Sequence, residues 1–536
     1  MNSAADLIAQ DFGTICALIA CHARDSPDRI ALRSTVNELA VNSITYLELD
    51  RQINRVVHSF QRDNVQAGQC IAICAASCLE YAVVFLGALR AGIAVAPLPP
   101  NATEESLARM VADADAQIIF IDSECSAFDK LSKQMVCLSG NHVTADLWSR
   151  WLSAEEAGPK IADVVRKISP EVVPAVVSEI TPSTPFNIIY SSGTTGEPKG
   201  IVQGHGMRWA HIKRSINYRY DQASVTLLST PLYSNTTLVV FFPTLAFGGC
   251  VVLMPKFDAL HYLQLAQSLG VTHTMLVPVQ YQRLMAHLKF DSFDLSQFKM
   301  KFCTSAPFSA ALKADVSQRW PGGLIEFYGM TEGGGTVILE AHNYPDKLHT
   351  VGKPALGSDI RLIDDDGLEL SAQAQRVGGE IVGHSAGMMT GYHGQPEKTR
   401  EVEWFDETGK RFIRTGDIGR FDEDGFLILF DRKKDVIISG GYNIYPSDLE
   451  AVLREHPAVS DVAVVGAASA QWGETPVAFV VLTQGADEPI ANIQDWANQR
   501  LGKTQRIASV VAIEELPRSA IGKVLKRELR GLLAEH

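Results

Sequence analysis

The segment from Tyr190 to Gly200 carries the densest potential chemistry in the chain. It reads Tyr190-Ser191-Ser192-Gly193-Thr194-Thr195-Gly196-Glu197-Pro198-Lys199-Gly200. Gly193 and Gly196 let the backbone turn tightly and aim its N–H groups inward. The hydroxyls of Ser191, Ser192, Thr194 and Thr195 add donors for phosphoryl oxygens, and Lys199 adds a cation. Together these make a cradle for the phosphates of ATP. The P-loop pattern G-x-x-x-x-G-K-[ST] does not fit, because Gly193 and Gly196 are too close and Gly200 follows Lys199. A plain surface turn is the simpler alternative. The density of hydroxyls directly behind the apolar run Phe186-Asn187-Ile188-Ile189-Tyr190 argues against it.

Elements that would position such a loop are visible around it. Ile71-Ala72-Ile73, Ala94 to Leu98 and Gln117 to Ile121 read as buried strands, with a helix from Leu79 to Ala91 between the first two. Strands alternating with helices at this spacing predict parallel sheets with helices on their faces. Residues 154–185 are more polar and contain Pro170, Pro174, Pro182 and Pro185, which predicts a surface connection. Beyond residue 358 the texture changes. Ile360 to Ile363 before Asp364-Asp365-Asp366-Gly367 reads as a hairpin, and Phe421 to Leu427 repeats the pattern, so a small β subdomain is expected. After Asp431-Arg432-Lys433-Lys434-Asp435 comes a new α/β stretch: helices over Asp448–Glu455 and Ile493–Leu501, strands over Val462–Val465 and Val477–Leu482. A domain boundary is expected near 432–436.

The composition narrows the function classes. With 536 residues, 46% hydrophobic and 20% charged, the chain should form two or more domains with sizeable cores. A net charge of −13, without a basic run outside Lys523-Val524-Leu525-Lys526-Arg527, argues against nucleic acid as a partner. Nine scattered cysteines suit a reducing cytoplasm. Cys70, Cys74 and Cys78 recur at four-residue intervals in apolar surroundings without partner ligands, so core packing is expected rather than metal. Met1 to Asp6 has no basic region ahead of an apolar stretch, and no apolar segment reaches the roughly 20 residues of a membrane span.

The Tyr190–Gly200 segment resembles the phosphate loop of the acyl-adenylate-forming superfamily, which holds acyl- and aryl-CoA ligases, peptide-synthetase adenylation domains and firefly luciferases. Pro27 to Leu32, Thr45 to Leu49 and Leu86 to Gly92 resemble the family's opening, and the likeness runs from about residue 14 to 530. It implies an α/β fold: a large N-terminal domain of packed α/β sheets with a small β subdomain (1–432), then a small mobile α+β C-terminal domain (433–536). In Tyr328-Gly329-Met330-Thr331-Glu332 the resemblance places Tyr328 against adenine, Thr331 on phosphate and Glu332 on Mg²⁺, which favours one or two carboxylates plus phosphate oxygens. Ser305-Ala306-Pro307 would line the adenine pocket, and Cys303 and Thr304, where glycines are frequent, would narrow the acyl pocket. Asp417 of Arg414-Thr415-Gly416-Asp417 would accept from the ribose hydroxyls. Arg432 would contact the nucleotide, and Lys434 would be the hinge. Lys523 of Pro517-Arg518-Ser519-Ala520-Ile521-Gly522-Lys523 would enter the cleft and stabilise charge on the α-phosphate and carboxylate. Gly440, Gly441 and Tyr442 would line the thiol tunnel, with Ile444-Tyr445-Pro446 and Glu450 continuing the match. His205 corresponds to a family histidine and is as readily structural as catalytic.

The implied activity is that of an AMP-forming carboxylic acid–CoA ligase using ATP, Mg²⁺ and coenzyme A. The acyl pocket is expected from Tyr233, Ser234, Asn235, Thr236, Thr237, Gly333, Gly334 and Val337. Ser234 stands where the family often has His. Gly333-Gly334-Gly335 are read as leaving room, and no buried cation is read as facing a second carboxylate. The expected substrate is therefore an aryl (hydroxycinnamate-like) or medium-chain monocarboxylic acid. No carrier domain follows residue 536, which favours free CoA over a carrier-protein phosphopantetheine. A luciferase-type oxygenase and a non-catalytic nucleotide-binding regulator remain as alternatives; Glu332, Asp417 and Lys523 weigh against the regulator. A homodimer is left open as the assembly.

Overall fold

The computed structural model describes residues 3–35, 41–123, 125, 127–128, 133–139, 146–153, 179–191, 198–519 and 522–534. Two large sheets dominate. One has nine strands, parallel through its middle, with antiparallel strands at both ends; the other has eight, also mainly parallel. The expected strands are present as Cys70–Cys74, Ala94–Pro97, Ala116–Ile121 and Pro185–Ser191, and the helix as Leu79–Arg90. Every residue of Cys70–Cys74 is buried, which explains a run without polar alternation.

Between the two sheets lies the main core. Helices Ile15–Asp25, Tyr46–Arg62, Leu79–Arg90 and Asn235–Ala246 meet there with strand residues Ile71, Ile73, Val251, Met275 and Phe302. Tyr46–Arg62 starts on a capping box, in which Thr45 accepts from the Glu48 N–H while Glu48 accepts from the Thr45 N–H. Cys70 and Cys74 are packed into the opposite face of the eight-stranded sheet, and Cys78 caps the following helix. None of the nine cysteines forms a disulfide, and no cluster of three metal-ligating side chains occurs among the described residues. No described helix is long and apolar enough to cross a membrane.

A five-stranded antiparallel sheet spans the region beyond residue 358. Arg411–Phe421 and Leu427–Arg432 form the expected hairpin over an Asp-Gly turn. The first expected hairpin is only partly formed. Asp359–Ile363 makes a turn at Asp364–Gly367, but its ladder partner is the more distant Gly379–His384. The chain leaves this sheet through the 3₁₀ turn Lys433–Asp435 and enters a last five-stranded sheet, covered by helices Pro446–Arg454, Ile490–Arg500 and Lys526–Ala534. The helices and strands read from residues 448–501 are present there, with mainly antiparallel pairing as the α+β fold implied by the resemblance requires.

Candidate active site

Three segments far apart in sequence meet at the lower end of the β subdomain. Tyr328 sits near the end of strand Gly323–Gly329, while Asp417 and Arg432 face each other across the Arg411–Phe421/Leu427–Arg432 hairpin. The Tyr328 hydroxyl donates to Asp417 Oδ2 at 2.8 Å, and Arg432 Nε lies 3.3 Å from Asp417 Oδ1. Burial, then the Asp417 charge, pushes the Tyr328 phenol well up, so it stays a donor. The Asp417 N–H is held by Thr415 Oγ1, whose hydroxyl donates to the Ile381 carbonyl. Arg414 turns away and makes a two-pronged pair with Glu380, at 3.0 and 2.6 Å.

Lys523 approaches this cluster from the loop ahead of helix Lys526–Ala534. Burial, with help from Arg432, lowers its ammonium to about 8, and Asp417 partly offsets the fall. Its loop is tied down by Ser519, which accepts from the Lys523 N–H and donates its own N–H to the Lys523 carbonyl. Gly522 has φ +76°, and a Cβ there would stand 2.9 Å from Val279 Cγ1 of the large domain. Glycine thus permits both the turn and the close seating. Lys434 lies exposed in the 3₁₀ turn between the two sheets, and Arg530 holds the neighbouring Asp435 at 2.7 Å.

Thr331 and Glu332 lie on the turn after Tyr328. The Gln203 side-chain amide donates to the Thr331 carbonyl at 2.7 Å, and the Met389 N–H donates to the Glu332 carbonyl. Tyr392 donates its hydroxyl to Glu332 Oε1 at 2.9 Å, and the Lys199 ammonium sits 5.2 Å from the centre of the Tyr392 ring. A carboxylate that belongs to no cluster of three metal-ligating side chains among the described residues suits Mg²⁺, which shares its shell with phosphates and water. The phosphate-loop residues Ser192, Gly193, Thr194, Thr195 and Gly196 lie outside the described residues. Ser191 and Lys199, at either end, are paired across two antiparallel strands.

On the acyl side, Ser305 adopts φ +82°, the left-handed region that a side chain rarely enters, and its hydroxyl meets Thr236 Oγ1 at 2.6 Å. Ala306 and Pro307 follow on the same partly exposed loop. Tyr233 is half-buried, with its phenol raised to about 12 by burial, and Asn235 Oδ1 is buried without a partner.

Several expectations are corrected here. The glycine triplet opens no space: a Cβ on Gly333 would sit 1.8 Å from the Gly387 carbonyl oxygen, one on Gly334 2.8 Å from Ile413, and one on Gly335 2.5 Å from Ile360. These glycines allow backbone to pack on backbone. Val337 has no exposed surface and packs with Leu362, Ile381 and Leu427, behind Tyr328. Cys303 is likewise sealed in the core and cannot narrow a pocket. Ser234 caps helix Asn235–Ala246 by accepting from the Thr236 N–H at 3.3 Å. His205 opens helix His205–Arg214, packs edge-on to Phe186 at 4.9 Å, and burial lowers its imidazole to about 4, which keeps it neutral near pH 7 and favours its structural role. No buried cation was read as facing a second carboxylate; the same helix carries the buried Arg208 and the partly buried Arg214. Gln203, Arg208 and Tyr392 escaped the sequence reading, although Gln203, directly after Ile201-Val202 in a strand, was available as a signal.

Comparison with known proteins agrees with this geometry. A profile of the AMP-binding enzyme family matches residues 19–393, and one of the AMP-binding enzyme C-terminal domain matches residues 448–523. The chain belongs to the AMP-binding enzyme family and is an enzyme of its acid–thiol ligase class. It is similar to feruloyl-CoA synthase from an Amycolatopsis species, 30% identical over 516 residues that span 95% of this chain and 96% of that protein. It is also similar to 2-succinylbenzoate–CoA ligase from Bacillus cereus, 28% identical over 512 residues spanning 95% of this chain and 97% of that protein. Among solved structures, amide bond synthetase McbA from Marinactinospora thermotolerans matches with a TM-score of 0.82 at 25% identity, covering 97% of this chain and 99% of that one.

Proposed function

We propose that the chain is an AMP-forming acid–CoA ligase with an aryl-sized acid as substrate. The acid's carboxylate attacks the α-phosphorus of ATP, and pyrophosphate leaves. The CoA sulfur then attacks the acyl carbon of the adenylate, its proton passes to solvent, and AMP leaves. The observation that carries this reading is the Tyr328–Asp417–Arg432 cluster with Lys523 brought into its field from the C-terminal loop. Tyr328 and Asp417 bind adenosine, Arg432 steers the phosphates, and Lys523 holds the charge that builds between carboxylate and α-phosphate. Thr331 and Glu332 face the phosphates, where Glu332 would hold Mg²⁺. That ion, when bound, neutralises phosphate charge.

Residues 1–432 form the adenylation domain and 433–536 the mobile domain, with Lys434 at the pivot. Tyr442, beside Gly440 and Gly441, is 62% exposed, and Ile438 and Trp472 are exposed near it. Such a face gains by swinging towards the cleft for the thiol step. Relatives named for feruloyl and 2-succinylbenzoate thioesters support an aryl acid and CoA. The test is pyrophosphate release from ATP with a panel of aryl and aliphatic acids, with and without CoA, on wild type and Lys523→Ala. CoA-dependent turnover that is lost in the variant supports the proposal. An adenylate that CoA cannot discharge points to a carrier-protein or amine acceptor, and no pyrophosphate with any acid overturns it.

A further inference from the structure

Helix His205–Arg214 carries a set of cations that the protein itself leaves unsatisfied. Arg208 is 2% exposed, and its Nε and Nη1 have no partner. Only Nη2 is engaged, by the side-chain oxygens of Asn187 and Gln203, both neutral. Arg214, two turns along, donates Nη1 to Thr336 Oγ1 at 3.1 Å and lies 5.6 Å over the Phe327 ring, while its Nε is buried and unpaired. His211 stands between them, feels both positive charges and has an unpaired Nδ1. Among the described residues no carboxylate lies within ion-pair distance of either guanidinium.

That is unusual inside this molecule. Lys313 is paired with Glu326, Arg90 with Asp50, and Arg414 with Glu380. A buried charge without a counter-charge is costly, so a chain that keeps Arg208 in this state, with the partly buried Arg214 near it, gains where an anion arrives. The location says which anion. The helix packs on the turn after Thr331 and Glu332: Met207 abuts Gly333, His211 faces Gly387, and Gln203 bridges Arg208 to the Thr331 carbonyl. Phe327 and Thr336, which Arg214 touches, flank the same turn. His211 and Arg214 are both partly exposed, and burial lowers the proton affinity of each. The triphosphate end of the site is served separately by Lys199, Glu332 and Lys523.

We infer that the acid substrate carries a second anionic group, a carboxylate or a chemical equivalent, and that Arg214 and Arg208 bind it on either side of His211 while the first carboxylate is activated. This rests on the proposed ligase reading and replaces the expected monocarboxylate. A planar guanidinium with free N–H groups is matched to a carboxylate.

The experiment uses matched acids: 3-phenylpropionate against 3-(2-carboxyphenyl)propionate, and hexanoate against adipate. Calorimetric binding to the whole chain in the presence of AMP is measured first, then pyrophosphate release. The expected result is at least tenfold tighter binding of the dicarboxylate in at least one pair. Arg214→Met should abolish that preference and Arg214→Lys should restore part of it. Equal or tighter binding of the monocarboxylates in both pairs overturns the inference, as does a preference that survives both Arg214→Met and Arg208→Met. Dicarboxylate binding without pyrophosphate release from any acid would uphold the anion site and sink the ligase reading, so the two fail separately.

Discussion

Lys313 and Lys301, beneath the nine-stranded sheet, and Arg208 and Arg214, on the helix between the phosphate strand and the acyl side, are all cations withdrawn from bulk water. Their surroundings differ. Lys313 has the Glu326 carboxylate at 2.5 Å and donates to the carbonyls of Leu348 and Thr350. Lys301 donates to the carbonyls of Trp320, Pro321 and Gly322. Every donor of these lysines ends on an oxygen the chain supplies, whereas three guanidinium nitrogens on the helix end on nothing. A buried charge that the fold satisfies pins distant segments together. One that the fold leaves open has been kept at a cost, and its return comes from a ligand.

The largest expected effect that breaks this contrast is on stability. Lys313→Met leaves Glu326 buried and unpaired and should cost about 3–5 kcal/mol in chemical denaturation. Arg214→Met removes one hydrogen bond and relieves an unpaired charge, so its stability should stay within about 1 kcal/mol of wild type. An equal loss in both would erase the distinction. Next in size is Lys523→Ala, which should slow adenylate formation by roughly 10²–10³-fold in pyrophosphate release. Transfer to CoA from a supplied acyl-adenylate should be little changed, and a comparable loss there would deny Lys523 a role confined to the first step.

The ionisation of Lys523 gives a smaller effect with a definite sign. With its ammonium lowered to about 8, the protonated form that neutralises developing charge prevails below that pH. The kcat/KM for pyrophosphate release should therefore fall as pH rises through about 8, and Lys523→Arg should remove that limb. His205, already neutral, should add no limb between pH 5 and 8. Smallest is Ser234→Ala, which loses a helix cap and should cost about 1 kcal/mol of stability, with kcat changed less than about threefold. A much larger fall in kcat would return Ser234 to the chemistry.

Much of the scaffold was legible because its signals are local. Cys70–Cys74 and Ala116–Ile121 announce themselves as short apolar runs, and the Asp-Gly turn fixes the hairpin that presents Asp417 to Arg432. The corrections share another origin. Gly333-Gly334-Gly335 look like open space until the backbone of Gly383 and Gly387 and the side chain of Ile413 arrive from far along the chain. Tyr392 has no motif around it, and only the pairing of Gly391-Tyr392 with Ile201 and Val202 carries its hydroxyl to Glu332. Ser234 was readable after all: a serine directly before a helix is a cap by its type, and its alignment with a family histidine drew attention away from that. Arg208 reads as one basic residue in a polar stretch. Only the structure shows it 2% exposed and without a counter-ion.

The grip of Tyr328 and Arg432 on Asp417 bears on sugar selectivity. A site rejects an analogue strongly when the missing group leaves a buried partner stranded. Here Oδ2 already accepts from Tyr328 and Oδ1 has the Arg432 charge 3.3 Å away, so a deoxynucleotide would leave neither of them bare. On the proposed reading, ATP should be preferred over its 2′-deoxy counterpart by the worth of one exchanged hydrogen bond, about 1 kcal/mol or several-fold in KM, and the enzyme should accept either sugar at high concentration.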